Sequence, residues 1–321
     1  MPKTTCLVNN YNYCKFVVQA IESALTQSVP FDEIIVVDDL STDNSVDIIK
    51  EKYQDESRIK IVVKDKNEGQ LSAFNEGFLK SSGEIICFLD ADDIYPRTYL
   101  ESLLSVYEKN PGCGCIYSDR KKFQDNEQID FKDAEDSSPG EYSSSVLKST
   151  VVQTYYLKLF QSAPTSAISF RRKYLETILP IPYLEDWRIR ADDCLTCGAA
   201  LTGIQRIKLR GNAIHYRIHS NNNFACQLLD ANKRQKDYGK EYKRRVALNR
   251  FAALMCKRMG YDLPLFPEIV KDEFRAIDQP SWRDFWTYLS IAFWSDIPFI
   301  RRARNVYLVV EYMFFRGKSI K

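Results

Sequence analysis

Histidine is scarce in this chain of 321 residues, which contains only two. The nine cysteines are an odd number, and the pairs Cys113/Cys115 and Cys194/Cys197 have spacings found at metal and redox sites. Because histidines are so few and the second pair lies in helix-like sequence, we do not expect a zinc site or thiol chemistry. No signal peptide precedes the first strand-like segment, so we expect reduced cysteines in a cytoplasmic protein.

Long hydrophobic runs and a large excess of charge of one sign are also missing. Crossing a bilayer takes about 18 consecutive apolar residues. The best candidate, residues 285–300, is interrupted by serines, an aspartate and a proline, and residues 306–315 are too few. The formal net charge is +2, which gives no general attraction to nucleic acid. We therefore expect a protein that neither spans a membrane nor binds nucleic acid.

The first third of the chain alternates short apolar runs with helix-like segments. The apolar runs are predicted strands at residues 4–8, 33–37, 59–63 and 84–89. The segments between them are predicted helices at residues 13–27, 42–53 and 70–80. Strands separated by helices of this length predict βαβ units and therefore a parallel sheet.

The rest of the chain is less regular. Further strands are predicted at residues 114–117, 167–170 and 205–209, and helices at residues 99–109, 192–201 and 226–259. Residues 119–149 are charged and serine-rich, and we expect a loop there, in a usual place for a lid over a substrate. Near the end, aromatic and basic residues alternate: Trp282, Phe285, Trp286, Phe293, Trp294, Arg301, Arg302 and Arg304. This pattern suits a peripheral membrane contact, the core of a helical extension or a homodimer contact.

Three carboxylates follow the fourth apolar run, in Cys87-Phe88-Leu89-Asp90-Ala91-Asp92-Asp93. Like charges this close repel each other, and a buried carboxylate is costly unless it is paired. A divalent cation resolves both problems, and oxygen ligands at the carboxyl end of a strand suit Mg²⁺ or Mn²⁺ carrying a phosphate-bearing substrate. The alternative is a strand that ends in a solvated polar turn.

Two other predicted strands also end in polar residues. Asn9-Asn10-Tyr11-Asn12 follows the first strand, and Asp38-Asp39 the second. Ligands of open α/β sheets bind beyond the carboxyl ends of the strands, so Tyr11 and Asp39 are expected to face one pocket with the acid cluster. An aromatic ring can stack on a base, and a carboxylate can accept the N3–H of uracil or thymine. A common turn and a helix cap are the alternatives.

These motifs, in this order, resemble the nucleotide-sugar-binding half of the GT-A glycosyltransferases of family 2. They are Val8-Asn9-Asn10-Tyr11-Asn12, Val36-Val37-Asp38-Asp39 with Ser41 and Asp43, Asn67-Glu68-Gly69 with Ala73, Asn75 and Gly77, and Leu89-Asp90-Ala91-Asp92-Asp93. The resemblance implies an α/β, Rossmann-like GT-A fold with a mostly parallel sheet flanked by helices. It also implies a nucleotide-sugar-binding half at residues 1–120, an acceptor-binding half at residues 121–223 and a helical extension at residues 224–321.

The resemblance also implies roles for individual residues. Those expected at the nucleotide and its sugar are Asn9, Tyr11, Asp39, Asn67, Gly69 and Asn75. Asp90 and Asp92 match the acidic Asp-x-Asp motif that binds the ribose and the metal–diphosphate, with Asp92 as the direct ligand of Mn²⁺ or Mg²⁺. One departure is Phe74, where many relatives have arginine.

Two aspartates in the second half are candidates for the catalytic base. Inverting members of the family use an aspartate that opens a helix and deprotonates the acceptor hydroxyl, and Arg190-Ala191-Asp192-Asp193-Cys194-Leu195 resembles that segment. Counting back from Gly203, with Leu195 as the marker of phase, favours Asp192. Asp193 would point about 100° around the helix. Helix N-capping is the alternative role for this pair.

Tyr216-Arg217-Ile218-His219 resembles the segment that closes the family's domain. Arg217 and His219 are expected to contact the diphosphate or to help close the site, since a cation there favours the leaving group. The alternative is a hydrogen-bonded histidine on the last strand. His215 lies two residues earlier, and we expect it to be structural.

The sequence thus predicts a metal-dependent, inverting glycosyltransferase. It would use a UDP- or dTDP-sugar donor and the hydroxyl group of a glycan or lipid-linked acceptor, in surface polysaccharide or glycan synthesis. Three alternatives stay open: a nucleotidyltransferase, a non-catalytic sugar-nucleotide-binding or scaffold protein, and a lipid-phosphate sugar synthase. The first would have a glycine-rich, basic phosphate loop after the first strand, where this chain has Asn-Asn-Tyr-Asn. The third would not need Asp192, because its acceptor is already an anion.

Overall fold

The structure is a computed structural model that describes residues 1–124, 143–148, 150–219, 238–261 and 269–315. Its first part alternates strands and helices: β1 Thr4–Asn10, α1 Val17–Leu25, β2 Glu33–Asp38, α2 Ser45–Tyr53, β3 Ile59–Val63, α3 Gln70–Lys80 and β4 Ile85–Asp90. The middle part comprises α4 Tyr99–Lys109, β5 Cys113–Gln124, β6 Ser143–Val146, α5 Val151–Leu157, β7 Ile168–Arg171, α6 Arg172–Ile178, α7 Asp192–Leu201 and β8 Gln205–Ile218. The last described helices are α8 Tyr238–Arg258, α9 Val270–Arg275, α10 Trp282–Trp294 and α11 Phe299–Phe315.

The strands form one mixed sheet in the order β3-β2-β1-β4-β7-β5-β8-β6. β3, β2, β1 and β4 pair in parallel, and so do β5 and β8. β7 runs antiparallel between β4 and β5, and β6 pairs antiparallel with β8. The predicted α/β fold with a mostly parallel sheet is confirmed. Since β1, β2 and β4 are parallel neighbours, their carboxyl ends meet at one edge.

Helices pack on both faces of the sheet. In β1, Cys6 and Val8 belong to a core with α1, α2 and α4, whereas Leu7 packs with α3 on the other face. This alternation follows from the period of two in a β-strand, which sends successive side chains to opposite faces. The apolar residues in the middle of β1, Cys6 to Val8, therefore contact both helical layers, and the strand ends in the polar Asn9 and Asn10 at the sheet edge.

The C-terminal helices attach to the sheet domain through α5. Val151 and Val152 of α5 share a buried cluster with Phe274 of α9 and with Phe285 and Tyr288 of α10. Lys148 forms an ion pair of 2.8 Å with Asp284 at the same junction. Among the described helices, none combines the length and the apolar character that a membrane span requires.

Several predicted elements have different bounds in the structure. β5 was expected to end at residue 117 but continues to Gln124, and β8 is one strand to Ile218, because the two strands pair in parallel as far as Gln124 and Ile218. β6 lies inside the predicted loop, and α5 and α6 were not predicted. The first helix starts at Val17 rather than at residue 13. Residues 226–237 of the predicted long helix lie outside the described residues, and its remainder is α8.

Candidate functional site

The ends of β1 and β4 are joined by side chains at the sheet edge. Asn9 and Asp90 are paired in the register of these strands. Asn9 Nδ2 donates to Asp90 Oδ1 over 2.9 Å, and the backbone N–H of Asp90 donates to Ser166 Oγ over 3.0 Å. These bonds fix the position of the first carboxylate of the acid cluster.

Asp90, Asp92 and Asp93 come together as the sequence predicted, with one carboxylate oxygen of each within 4.8 Å of the others. Asp93 is buried, and its oxygens accept from Ser166 Oγ at 2.6 Å and from the Arg217 N–H at 3.0 Å. Burial, and then the charge of Asp92, raises the pKa of the Asp90 carboxyl to about 7. Burial, and then the charges of Asp92 and Asp90, raises the pKa of Asp93 well above its usual range. Full ionisation of the three acids is therefore unfavourable unless a positive charge lies beside them.

His219 and Arg217 both hold Asp92. His219 Nε2 lies 2.9 Å from Asp92 Oδ2, and Arg217 Nε donates to the Asp92 carbonyl oxygen over 2.8 Å. The Arg217 guanidinium lies 4.6 Å from the ring centre of Phe16 and 4.5 Å from that of Phe123. Arg217 is only 2% exposed, so this geometry favours a positioning role over the predicted direct contact with a diphosphate. Of the two side chains, that of His219 contacts a carboxylate of the cluster, whereas that of Arg217 contacts the Asp92 backbone.

Asp39 anchors the turn that precedes α3. Its buried carboxylate accepts from Lys64 Nζ at 2.6 Å and from the backbone N–H groups of Gly69 at 2.6 Å and Glu68 at 3.1 Å. Asn67 Nδ2 donates to the Asp39 carbonyl oxygen over 3.0 Å. A carboxylate has about four acceptor positions, and these three N–H groups occupy three of them. Tyr11, after the end of β1, is 43% exposed, and its stacking on a base remains a prediction.

Gly69 lies where this turn meets the segment before α7. Its φ is +90°, and an added Cβ would lie 2.4 Å from the Arg188 Cα. The next backbone N–H, that of Gln70, donates to the Arg188 carbonyl oxygen over 2.9 Å. The positive φ and the close backbone contact both call for glycine at this position.

Asn75 and Phe74 lie on α3 and contact other parts of the chain. Asn75 donates from Nδ2 to the Ile181 carbonyl oxygen over 2.8 Å and accepts from the Ile181 N–H over 2.9 Å. Both polar groups of Asn75 are therefore used to hold residue 181, and its predicted role at the donor remains a prediction. Phe74 is buried, with its ring centre 5.0 Å from that of Phe88. The position where many relatives have arginine is here part of the core.

Gln70 is a site residue that the sequence reasoning missed. Its Nε2 donates to Asp90 Oδ1 over 3.0 Å and lies 3.1 Å from Thr165 Oγ1. Its Oε1 accepts from the Ala191 N–H over 3.0 Å, just before α7. One side chain therefore joins the acid cluster to the helix that carries Asp192. The available signal was its position directly after Asn67-Glu68-Gly69, but a polar residue at a helix start is also an ordinary cap.

Asp192 and Asp193, the first residues of α7, differ sharply in their surroundings. Asp193 is 2% exposed and pairs with Arg244 Nε at 2.9 Å and with Arg190 Nη2 at 3.2 Å. Asp192 is partly exposed. Burial, and then the charge of Asp193, raises the pKa of Asp192 to about 7. The charge of Asp192 in turn contributes to the raised pKa of Asp90, so Asp192 acts on the acid cluster whereas Asp193 is held by arginines.

Comparison with known proteins identifies the family. The model of Glycosyl transferase family 2 matches residues 5–179. An uncharacterized glycosyltransferase of Nostoc is 30% identical over 331 residues, which cover 99% of this chain and 96% of the relative. The chain belongs to glycosyltransferase family 2. It is therefore an enzyme of the glycosyltransferase class, as the sequence predicted.

Other relatives of this family-2 glycosyltransferase match over shorter stretches. A putative teichuronic acid biosynthesis glycosyltransferase of Bacillus subtilis is 33% identical over 103 residues, 32% of this chain and 41% of the relative. The chondroitin synthase of Escherichia coli is 31% identical over 118 residues, 37% of this chain and 17% of the synthase. The structure of Staphylococcus aureus TarS with UDP-GlcNAc aligns with 97% of this chain and 91% of its own at 17% identity, with a TM-score of 0.54. That likeness shows the same GT-A fold.

The acid cluster of this family-2 glycosyltransferase has the donors that a divalent cation requires. Carboxylate oxygens suit Mg²⁺ or Mn²⁺, and the three acids bring one oxygen each within 4.8 Å of the others. Within the described part of the chain, the buried Asn9 Oδ1 beside them has no hydrogen-bond partner. The site is thus polar, rich in negative charge and incompletely satisfied, and these properties fit a bound cation.

Proposed function

We propose that this enzyme is a metal-dependent, inverting glycosyltransferase. It moves a sugar from a UDP- or dTDP-linked donor to the hydroxyl group of a glycan or lipid-linked acceptor. The observation that carries the proposal is the placement of Asp192, a partly exposed acid that acts electrostatically on Asp90 and is joined to it through Gln70 and Ala191.

The donor side of the site is formed by the ends of β1, β2 and β4. Tyr11 stacks on the base, and the remaining acceptor position of Asp39 takes an N–H of that base. Asn67 and Gly69 shape the wall that Asp39 anchors. The TarS structures contain UDP and UDP-GlcNAc, which supports a uridine nucleotide as the first donor to test.

Asp90 and Asp92 would hold Mn²⁺ or Mg²⁺ together with the diphosphate. A divalent cation there neutralises the charge that develops on the leaving nucleoside diphosphate. His219 fixes the Asp92 carboxylate through Oδ2, and Arg217 fixes its backbone. Both residues orient Asp92 before any ligand binds, so little reorganisation is needed during the reaction.

Asp192 is the base that removes the proton from the acceptor hydroxyl. The hydroxyl oxygen attacks the anomeric carbon as its proton passes to Asp192, and the bond from that carbon to the diphosphate oxygen breaks. Attack from the side opposite the leaving group inverts the anomeric centre. A carboxyl whose pKa is about 7 is matched to proton transfer near neutral pH. The Asp193 carboxylate is instead held by Arg244 and Arg190.

Relatives with named pathways support a setting in surface polysaccharide or glycan synthesis. The Bacillus subtilis relative is assigned to teichuronic acid biosynthesis, and the Escherichia coli relative is a chondroitin synthase. Both match only about a third of this chain, so the sugar and the acceptor stay open. We place the reaction on the cytoplasmic side of the membrane.

Calorimetric titration with a panel of nucleoside diphosphates and nucleotide sugars, with and without Mn²⁺, tests the proposal. We expect one nucleoside diphosphate to bind tightly only when Mn²⁺ is present, and Asp92→Ala to abolish that dependence. Asp65→Ala, an exposed acid in the loop before α3, is the matched control and should bind as the unaltered enzyme does. If no nucleotide binds to a folded sample with metal present, the proposal is wrong and a scaffold role takes its place.

A further inference from the structure

The outer face of the C-terminal helices is apolar and exposed. α10 and α11 pack side by side and run in opposite directions. This is shown by Trp282 at the start of α10, whose ring centre lies 5.9 Å from that of Phe314 near the end of α11. Phe285, Tyr288 and Val309 are buried between these helices and their neighbours. The side chains on the opposite side form what we call the aromatic face: Trp282, Trp286, Phe293, Trp294, Phe299, Ile300, Tyr307 and Phe314, each more than half exposed.

The turn between α10 and α11 is the most prominent part of this face. Trp294 and Phe299 are each 79% exposed, and Ile300 is 81% exposed. Side chains with this exposure stand clear of their neighbours and project from the surface. A contiguous exposed apolar patch of this kind marks a site of interaction. Because the three side chains project, a flat protein surface could not cover them. The partner has to let them insert.

Basic residues flank the projecting turn. Arg301 and Arg304 at the start of α11 are exposed, and Arg302 Nη2 lies 3.3 Å from the Ile297 carbonyl oxygen, a contact that helps to hold the turn. Residues 293–304 contain three arginines and only one acid, Asp296. The turn is therefore apolar at its tip and positively charged at its base.

We propose that the aromatic face docks this enzyme on a bilayer that contains anionic phospholipid. Trp294, Phe299 and Ile300 enter the boundary between headgroups and acyl chains, and Arg301 and Arg304 lie at the level of the phosphates. Aromatic and aliphatic side chains with flanking arginines are the composition of an interfacial membrane contact. The inference stands on the C-terminal surface alone and does not rest on the proposed function.

A second copy of the chain fits the same surface less well. A protein partner would have to offer an apolar hollow that matches the projecting turn. One cavity of about 270 Å³ in the described part of the chain is lined by Glu68, Glu185, Asp186 and Arg250, together with Pro182, Tyr183 and Leu184. An aromatic side chain there would face charged groups. Lipid needs no matching shape, because acyl chains adapt to what is inserted.

The helices that carry the aromatic face connect to the sheet domain through α5. α10 packs on α5, and α5 packs on α7, the helix that begins with Asp192. A protein held by α10 and α11 is thus held through α5, whose Val151 lies beside Gly203, just after the end of α7.

Sedimentation with vesicles of phosphatidylcholine alone, and of phosphatidylcholine mixed with phosphatidylglycerol, tests the inference on the full chain. We expect binding to the mixed vesicles and much weaker binding to phosphatidylcholine. Replacing Trp294, Phe299 and Ile300 together by serine should reduce the partition coefficient about 100-fold. Arg301→Gln with Arg304→Gln should reduce binding to mixed vesicles about 20-fold.

Matched controls separate docking from damage to the fold. Leu79→Ser removes an exposed leucine on α3, and Lys50→Gln removes an exposed charge on α2; both should bind vesicles as the unaltered chain does. Circular dichroism melting checks that every variant folds. If the unaltered chain ignores both kinds of vesicle, or if the serine variant binds equally well, the inference is wrong. A dimer in sedimentation velocity that the serine variant loses, without vesicle binding, would assign the face to a second copy instead.

Discussion

Arg244 donates from Nε to Asp193 Oδ2 over 2.9 Å, and this ion pair separates two acids that are neighbours in sequence. Arg190 Nη2 lies 3.2 Å from the same oxygen. Over the described ranges, Asp192 forms no ion pair of this kind. Asp193 therefore has its charge balanced by two arginines, and this difference is the reason for which we propose Asp192 as the base. Helix phase alone favoured Asp192 over Asp193 only weakly. The ion pairs of Asp193 now add a second reason to prefer Asp192 as the proposed base.

We expect Asp192→Asn to lose sugar transfer and to keep donor binding. Asparagine has nearly the shape of aspartate but cannot accept the proton of the acceptor hydroxyl. A general base is worth about 10²–10⁴-fold, so kcat should fall within that range. Steady-state kinetics measures the rate, and calorimetry with Mn²⁺ and the nucleotide measures the donor affinity. Full activity in this variant would favour an acceptor that is already an anion.

Transfer by the unaltered enzyme should decline as the pH falls through about 7. The pKa of Asp192 is raised to about 7, first by burial and then by the charge of Asp193. A base works only when it is deprotonated, so below that pH the rate should fall about tenfold per unit. The measurement is kcat/KM against pH at saturating metal. The residual activity of Asp192→Asn should not show this fall of kcat/KM at low pH. If the fall is unchanged in the variant, a group other than Asp192 causes it.

Asp193→Ala should reduce stability far more than Asp192→Ala does. Removing Asp193 leaves Arg244 and Arg190 without their buried partner, and breaking a buried ion pair from one side costs about 3–5 kcal/mol. Since the two arginines are 41% and 27% exposed and water can replace the carboxylate, we expect a smaller loss of about 1–2 kcal/mol. Urea unfolding followed by circular dichroism measures the free energy of unfolding of both variants. Equal losses would show that the ion pairs do not distinguish the two acids.

Gln70→Met should slow transfer without unfolding the protein. The variant fills the same space but loses the bonds to Asp90 and to the Ala191 N–H. Misplacing a reacting group by about 1 Å can cost about 100-fold in rate, and we expect a fall in kcat of about 10–100-fold. KM for the donor should change little. Gln54→Met, at the exposed end of α2, is the control for the substitution itself. A change in the melting temperature alone would show that Gln70 is only structural.

The sequence was most informative where local pattern and tertiary structure agree. β1, β2 and β4 are buried on both faces, so their apolar runs are continuous and easy to recognise. Residues 119–124 are mostly charged or polar, and they form the end of β5 only because β8 pairs with them. That pairing brings together residues about 90 apart in the chain, and no local pattern records it.

The site shows the same division. Asp90, Asp92 and Asp93 are adjacent in sequence and were found together. The bridge from Asp90 through Gln70 to Ala191 joins three separate segments, and the arginine that holds Asp193 lies on α8. The residue types at these positions are ordinary for helix starts and helix surfaces. Their roles depend on distances that only the folded chain defines.

Gly69→Ala should destabilise the protein, and Gly112→Ala should not. At Gly69 the φ of +90° strains any L side chain, and the added Cβ would lie 2.4 Å from the Arg188 Cα and 2.7 Å from the Arg188 carbonyl oxygen. These are backbone atoms that cannot rotate away, and we expect a loss of about 3 kcal/mol. At Gly112 the nearest atom is Gln205 Oε1 at 3.5 Å, the end of a flexible side chain. Urea unfolding of the two variants compares them directly. Because Asp39 accepts a hydrogen bond from the Gly69 N–H, the alanine variant should also bind the nucleotide more weakly. A Gly69→Ala variant that is as stable as the unaltered enzyme and binds normally would contradict the close contact between the turn and residue 188.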